Sequence, residues 1–138
     1  MLLYYCIKLY RDKEANKEYS TSIMIGEETY KLASDMIYVR QLDLLRVKGK
    51  TEPAKVYELV GVVERGLSDD MNRILELFGK GFDAYLLQNW EGSIKYFQQV
   101  LALEPKDGPS LRYVQRCRQF QENPPGDNWD GVFTMTTK

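Results

Sequence analysis

The chain has 138 residues, of which 43% are hydrophobic and 12% aromatic, a composition that can bury a core and that excludes wholesale disorder. Its 19 Lys and Arg residues against 20 Asp and Glu residues leave a formal net charge of -1, which argues against a sequence-independent nucleic-acid binder because such a protein needs a cationic surface. The sequence contains no histidine, so Ser-His-Asp and Cys-His catalysis, a histidine general base and histidine-ligated zinc are excluded.

The first segment, residues 1–61, mixes short strand patterns with helical ones. The charged residues 7–19 predict a helix, and the apolar run 22–25, ended by Gly26, predicts a buried strand. Residues 27–33 predict a short helix, because two glutamates stand in its first turn, where the helix dipole favours negative charge. This order is typical of a domain that combines a sheet with helices.

A β-hairpin is predicted next, over residues 36–60. Residues 36–47 are rich in Ile, Val, Tyr and Leu, and their alternation changes face near Asp43, which predicts a strand with a bulge. Residues 48–53 contain Gly and Pro and indicate a loop, and residues 54–60 alternate as a second strand. Two strands around such a loop predict an antiparallel hairpin.

The remainder of the chain predicts helices. After a linker at residues 62–68, Ser68 and the two aspartates that follow it supply an N-cap and an acidic first turn. Residues 69–123 carry three amphipathic stripes, separated at Asn89 and at a turn with Pro and Gly, and we interpret their apolar residues as a core rather than a cofactor site. Residues 124–138 predict an extended tail.

The helical segment partly meets the tetratricopeptide pattern. Counted back from Pro105 as the closing proline, Gly81 takes the small position where two helices cross. Ser93 takes the small position of the second helix, and Phe97 takes the large one. An isolated pair of such helices needs another surface to cover its exposed face. Trp129 in the tail has two interpretations: it folds back on these helices, or it docks on a partner.

The cysteines and the start of the chain indicate the cellular compartment of the protein. Cys6 and Cys117 are too few for a disulfide framework or a four-cysteine metal site, so we expect a reducing, cytoplasmic compartment. Cys117 is predicted as a buried small hydrophobic residue. The apolar residues 2–9 are interrupted by Lys8 and lack a basic n-region, so they predict neither a signal peptide nor a transmembrane helix.

Several stretches resemble bacterial class III nucleotide cyclases. Residues 41–59, QLDLLRVKGKTEPAKVYEL, are similar to the end of that family's catalytic domain, where a strand leads into a Val-Lys-Gly-Lys turn and a last strand carries a Tyr. Residues 16–25 resemble the helix-to-strand passage just upstream. Residues 108–118 and 123–132 are similar to the tetratricopeptide-like tail of many bacterial cyclases that have extracytoplasmic sensor domains.

This resemblance implies a fold and an activity. The implied fold is α+β: residues 1–61 as a small βαββ remnant of a ferredoxin-like cyclase catalytic domain, and residues 69–123 as a tetratricopeptide-like segment. The family converts ATP, or in some members GTP, to the cyclic 3',5'-monophosphate and pyrophosphate, and uses two Mg or Mn ions. Its active sites form at a dimer interface, and two aspartates from early strands of the catalytic domain hold the metal ions.

Four basic residues are candidates for the site that the resemblance implies. Lys48 matches the lysine that contacts the terminal phosphates, and a point charge beside the flexible Gly49 suits a triphosphate. Lys50 and Arg46 add positive potential in support, and Arg11 falls where the family's catalytic arginine would stand. Without the resemblance, Lys48 and Lys50 are explained as a solvated hairpin turn, and Arg11 as surface charge.

The family's two metal-binding aspartates have no counterpart, because no aspartate precedes Asp12. We therefore expect that the chain holds no metal cofactor of its own and does not make cyclic AMP when isolated. The family's early strands are also missing, and residues 1–14 are unlike the family, so we expect a truncated domain and a truncated or shifted reading frame.

Three interpretations of function remain open at this point. The chain supplies the phosphate-side lysine to a complementary chain, so that ATP binds only at the combined site. Alternatively, it is a non-catalytic interaction module whose helical repeats bind a protein, such as a full-length cyclase, or it is a gene relic. In each case we expect a homodimer, because two or three strands leave an open sheet edge that favours pairing with another copy. We expect neither a nucleic-acid partner nor a membrane span.

Overall fold

The structure, a computed structural model, describes residues 23–46 and 52–134. The described residues divide into two compact units. The sheet unit runs to Gly66 and resumes at Gly131, and the helical unit is Leu67–Asp130. Several predicted features lie outside the described residues: the helix at 7–19, most of the loop at 48–53, Cys6, Arg11, Lys48 and Lys50.

The sheet unit contains a sheet of four strands in the order β1-β3-β2-β4. Its elements are β1 (Met24–Gly26), helix α1 (Glu27–Ala33), β2 (Ile37–Arg46), β3 (Ala54–Val62) and β4 (Val132–Thr134). Strand β3 is antiparallel to both β1 and β2, and β4 is parallel to β2. The predicted α+β class and the antiparallel hairpin are confirmed.

Helix α1 closes one side of the sheet over a small core. Ile25, Ala33, Ile37 and Tyr57 are buried there, and the rings of Tyr30 and Tyr57 lie 4.6 Å apart between centroids. The helix spans the seven residues predicted from the sequence, with its two glutamates in the first turn and a basic residue in the last. A buried face on so short a helix shows that its stability comes from packing rather than from helix propensity.

The predicted bulge in β2 is confirmed at Asp43. The register between β2 and β3 shifts between Gln41 and Asp43, so that the next residues pair one position out of step. Asp43 is fully buried, and its Oδ1 accepts a hydrogen bond from the backbone N–H of Leu44 at 2.8 Å. The carboxylate thus satisfies a backbone donor where the ladder is disrupted.

Strand β4 lies within the extended tail predicted for residues 124–138, but its pairing with the sheet was not predicted. Its residues pair in parallel with the last three residues of β2, in the register Leu44↔Val132, Leu45↔Phe133 and Arg46↔Thr134. A three-residue strand carries almost no pattern of its own, and its partner lies far away in the sequence. Local periodicity therefore gave no signal for the pairing.

The helical unit contains α2 (Asp69–Leu86), α3 (Trp90–Leu103) and α4 (Gly108–Glu122), preceded by a 3₁₀ turn at Val63–Arg65. Each helix begins at a side-chain N-cap. The Ser68 hydroxyl accepts from Met71 N–H as predicted, and Asn89 and Asp107 accept from the N–H groups three residues on. These caps satisfy backbone donors that have no partner inside the helix.

The core of the helical unit is aromatic. Tyr113 lies at its centre, with ring centroids 4.9 Å from Tyr85, 5.1 Å from Phe97 and 5.8 Å from Phe78. Cys117 on the same helix is fully buried, as predicted. Within the described residues, no helix combines the length and the apolar character that crossing a membrane needs.

The three residues predicted at the helix crossing meet there. An added Cβ on Gly81 would stand 2.9 Å from Cζ of Phe97, and the Ser93 hydroxyl donates to the Gly81 carbonyl at 2.8 Å. The absence of a side chain at Gly81 therefore sets how closely α2 and α3 approach.

Trp129 folds back on the helical unit, which decides between its two interpretations. Its ring lies 5.1 Å from Tyr85, 5.4 Å from Trp90 and 5.5 Å from Phe120, measured between centroids. We call these three contacting residues the aromatic platform. The cover that an isolated helix pair needs is supplied partly by α4 and partly by the chain's own Trp129.

Candidate functional site

The candidate site is the end of the β2–β3 hairpin. Arg46 is the last residue of β2 and is half-buried, and β3 begins at Ala54. Residues 47–53 connect the two strands, so Lys48 and Lys50 belong to this connection although they lie outside the described residues. Arg11 also lies outside them, so Arg46 is the member of the predicted basic set that falls within the described residues.

At this end of the hairpin, the last residues of β2 pair with a strand on each side. On one side, Leu44 pairs with Lys55 and Leu45 pairs with Ala54 of β3. On the other side, β4 pairs with the same stretch of β2. Arg46 is therefore placed by a three-stranded frame rather than by a free hairpin.

One basic residue that the sequence analysis did not single out belongs to this end of the sheet. Lys55 is exposed near the start of β3, in register with Leu44. Together with Arg46, it adds positive charge next to the connection that carries Lys48 and Lys50. The sequence did contain a signal for Lys55. In an antiparallel hairpin the beginning of the second strand lies beside the end of the first, so Lys55 could have been placed near Arg46.

A second arginine on the sheet, Arg40, forms a structural ion pair. Arg40 lies opposite Glu58 in the pairing of β2 with β3. Its Nε donates a hydrogen bond to Glu58 Oε2 at 2.9 Å, and its Nη2 forms an ion pair with the same oxygen. Arg40 is buried and Glu58 half-buried. An ion pair in this setting neutralises the guanidinium, so we do not include Arg40 among the candidate phosphate ligands.

Tyr57 is the tyrosine of the last strand in the cyclase resemblance. Burial raises the pKa of its hydroxyl above the ordinary value of 10.0, and the nearby Glu27 and Tyr30 act in the same direction. The hydroxyl is therefore protonated at neutral pH. Its ring packs against Tyr30 and the α1 core, so Tyr57 acts as a packing residue and not as a base.

Metal ligands are not assembled in the part of the chain that the structure describes. Residues 23–46 and 52–134 contain no group of three or more Cys, Asp or Glu side chains placed to hold an ion. A cavity of about 440 Å³ beside Pro53 is lined partly by Glu27 and Glu28, whose charge opposes the binding of a triphosphate. The described residues do not fit a two-metal centre, and no catalytic step through metal ions is derived from them.

Comparison with known proteins relates the chain to an adenylate cyclase. It is 31% identical over 112 residues to the terminal-differentiation-specific adenylate cyclase of Dictyostelium discoideum. The match covers 79% of this chain but 5% of that protein, so the chain corresponds to a small part of its relative. No family model matches the chain, and the search of solved structures gave no significant match.

Proposed function

We propose that the sheet unit corresponds to the C-terminal part of a class III cyclase catalytic domain and that the helical unit is a tetratricopeptide-like segment joined to it. The observation that carries the proposal is the 31% identity to an adenylate cyclase over 79% of the chain. The antiparallel β2–β3 hairpin supports it, because its connection carries the Val-Lys-Gly-Lys sequence of the resemblance.

In this proposal the hairpin end is a cationic contact for the phosphates of ATP or GTP. Lys48 contacts the terminal phosphates, and Lys50 and Arg46 support it with positive potential. Arg11 is the candidate catalytic arginine. In the same proposal a second chain binds the two Mg or Mn ions of the reaction; residues 23–46 and 52–134 of this chain hold no group of three or more Cys, Asp or Glu side chains placed to bind an ion.

The chain is thus the phosphate-side part of a composite site, and turnover requires a second chain that brings the metal-binding aspartates. The proposal predicts no cyclic AMP from the 138-residue chain alone with Mn-ATP. It also predicts that the chain restores activity to an intact class III cyclase whose own phosphate-contacting lysine has been replaced by alanine.

Substitution of Lys48 tests this proposal. Lys48→Ala should abolish the rescue, since it removes the charge that the partner lacks, whereas Lys106→Ala, an exposed lysine of the helical unit, should leave it unchanged. The measurement is cyclic AMP formed per unit time after mixing. Rescue by the Lys48→Ala chain equal to that of the unsubstituted chain, or turnover by the chain alone, would contradict the proposal.

A second candidate is a non-catalytic interaction module that associates with a cyclase or with itself. The helical unit favours it, because this unit has its own aromatic core and three capped helices. In the same mixing experiment, stable binding of the cyclase without rescue of its activity supports this candidate. Binding that survives Lys48→Ala distinguishes it from the composite site.

A further inference from the structure

The bulge at Asp43 changes which residues of β2 share a face of the sheet with helix α1, a face that we call the α1 face. Directly paired residues of an antiparallel ladder have their side chains on the same face. Before the bulge, Gln41 pairs with Tyr57, which packs in the α1 core. After the bulge, Leu44 pairs with Lys55, two positions from Tyr57 and therefore also on the α1 face. The α1 face thus passes from odd-numbered to even-numbered residues of β2.

This change brings Arg46 to the same face as Lys55. Arg46 follows Leu44 by two positions in the same strand, so both of their side chains lie on the α1 face. Arg46 and Lys55 are then diagonal neighbours at the end of the hairpin. In a regular ladder continued from Gln41, Arg46 would lie on the opposite face, because a slip of one residue turns every side chain over.

The face that carries Arg46 matters because acidic residues belong to the α1 side of the sheet. Glu27 and Glu28 form the first turn of α1 and line a cavity beside Ala54, the first residue of β3. Their negative charge repels phosphate. Arg46 and Lys55 together offset this charge, whereas with Arg46 on the opposite face Lys55 would be left as the basic member of the pair on that side.

The side chain of Asp43 holds the bulge. Its Oδ1 accepts from the Leu44 N–H at 2.8 Å, where the ladder is disrupted, and the residue is fully buried. A buried carboxylate costs free energy that an apolar side chain would not, so packing alone does not explain an aspartate at this position. Bulges next to functional sites commonly redirect a side chain.

We propose that Asp43 is a positioning residue, which holds the register of β2 so that Arg46 and Lys55 together face the phosphates of the nucleotide. Asp43 does not itself contact the ligand. The phosphate role rests on the proposed function of the hairpin end. The dependence of the Arg46 face on Asp43 does not rest on it, and the two parts are measured separately.

Asp43→Val tests the register. Valine cannot accept from the Leu44 N–H and favours a regular strand, so the ladder should slip by one residue and pair Leu44 with Ala54 instead of Lys55. Cross-strand nuclear Overhauser effects in the full chain report this pairing. Asp43→Asn keeps an oxygen acceptor and should keep the native pairing, as should Asp35→Val, a matched change at an exposed aspartate of the same unit. Native pairing in Asp43→Val would overturn the proposal.

A deletion separates positioning from a general loss of stability. Leu42 is the extra residue of the bulge, since the residues on either side of it pair with consecutive residues of β3. Without Leu42, a regular ladder again pairs Leu44 with Lys55. Deletion of Leu42 from the Asp43→Val chain should therefore restore this pairing and the face of Arg46. If Asp43 only stabilised the sheet, losing a fully buried leucine as well would restore nothing, and that result would overturn the proposal.

Rescue of the lysine-deficient cyclase measures the phosphate role. Asp43→Val should lower the rate of cyclic AMP formation about tenfold, the effect of losing a hydrogen bond to a charged group, and deletion of Leu42 should restore most of it. Asp35→Val should leave the rate unchanged. If the unsubstituted chain gives no rescue, the proposed function and the phosphate role fail together, while the pairing still decides whether Asp43 sets the face of Arg46. Full rescue by an Asp43→Val chain whose ladder has slipped would overturn the phosphate role alone.

Discussion

At the scale of single residues, Gly81 has the most sharply defined role. A Cβ at this position would stand 2.9 Å from Phe97 Cζ, closer than carbon atoms pack without displacement. Phe97 cannot move away easily, because it is fully buried and stacks on Tyr113 with ring centroids 5.1 Å apart. The same helix carries Gly79, around which there is open space.

This contrast gives a prediction for two matched substitutions. Gly79→Ala should stabilise the helical unit by about 0.5–1 kcal/mol, since alanine favours the helix and meets nothing. Gly81→Ala gains the same propensity but overpacks the crossing, so it should be less stable than Gly79→Ala by about 1–3 kcal/mol. Urea unfolding followed by circular dichroism measures the difference. Equal stability of the two variants would show that Phe97 gives way without cost.

At the scale of elements, the sequence predicted the features whose signals are local. The bounds of α1, the Ser68 cap and the bulge at Asp43 each follow from residues within a few positions of one another. Features that depend on distant partners were not predicted: β4 pairs with a strand that precedes the whole helical unit, and Trp129 had two equivalent interpretations until its platform was known. Arg46 was a candidate from the sequence alone, but its pairing with Thr134 of β4 was not foreseen.

The start of α3 offers a test of one local signal. Asn89 ends the stripe of α2 and caps α3, and its Oδ1 accepts from Gly92 N–H at 3.1 Å. Asn89→Ala removes this acceptor and should cost about 1 kcal/mol in the free energy of unfolding. Asn89→Asp keeps an acceptor and adds charge that the helix dipole favours, so it should retain most of the stability. An alanine variant as stable as the aspartate variant would indicate that water replaces the cap.

At the scale of the whole molecule, the two units carry different groups that titrate in alkali. Burial raises the pKa of the Cys117 thiol in the helical unit above its ordinary 9.0, against smaller opposing effects of Ser93 and Arg116. Burial likewise raises the pKa of Tyr57 in the sheet unit above 10.0. In both cases the unfolded chain releases its proton first, so each contribution to stability is complete below the unfolded pKa and is lost as the pH rises through the folded one.

We therefore expect the helical unit to weaken first, above about pH 9, and the sheet unit to weaken above about pH 10. Amide exchange resolved by residue and measured against pH reports each unit separately. Cys117→Ala should reduce the loss of stability at high pH in the helical unit only, and Tyr57→Phe should reduce it in the sheet unit only. If one substitution flattened the pH dependence of both units, a shared group rather than two separate ones would be responsible.

The position of β4 in the chain has a consequence for how the protein is made. Because β4 follows all three helices yet belongs to the sheet, the helical unit is an insertion within the sheet unit. During synthesis, the ribosome releases β2 and β3 long before the strand that flanks β2. The helices can therefore fold before β4, the last strand of the sheet, has been synthesised. A protein cut after Gly66 would lack a strand of its own sheet, so the boundary between the units is a poor place to divide the gene.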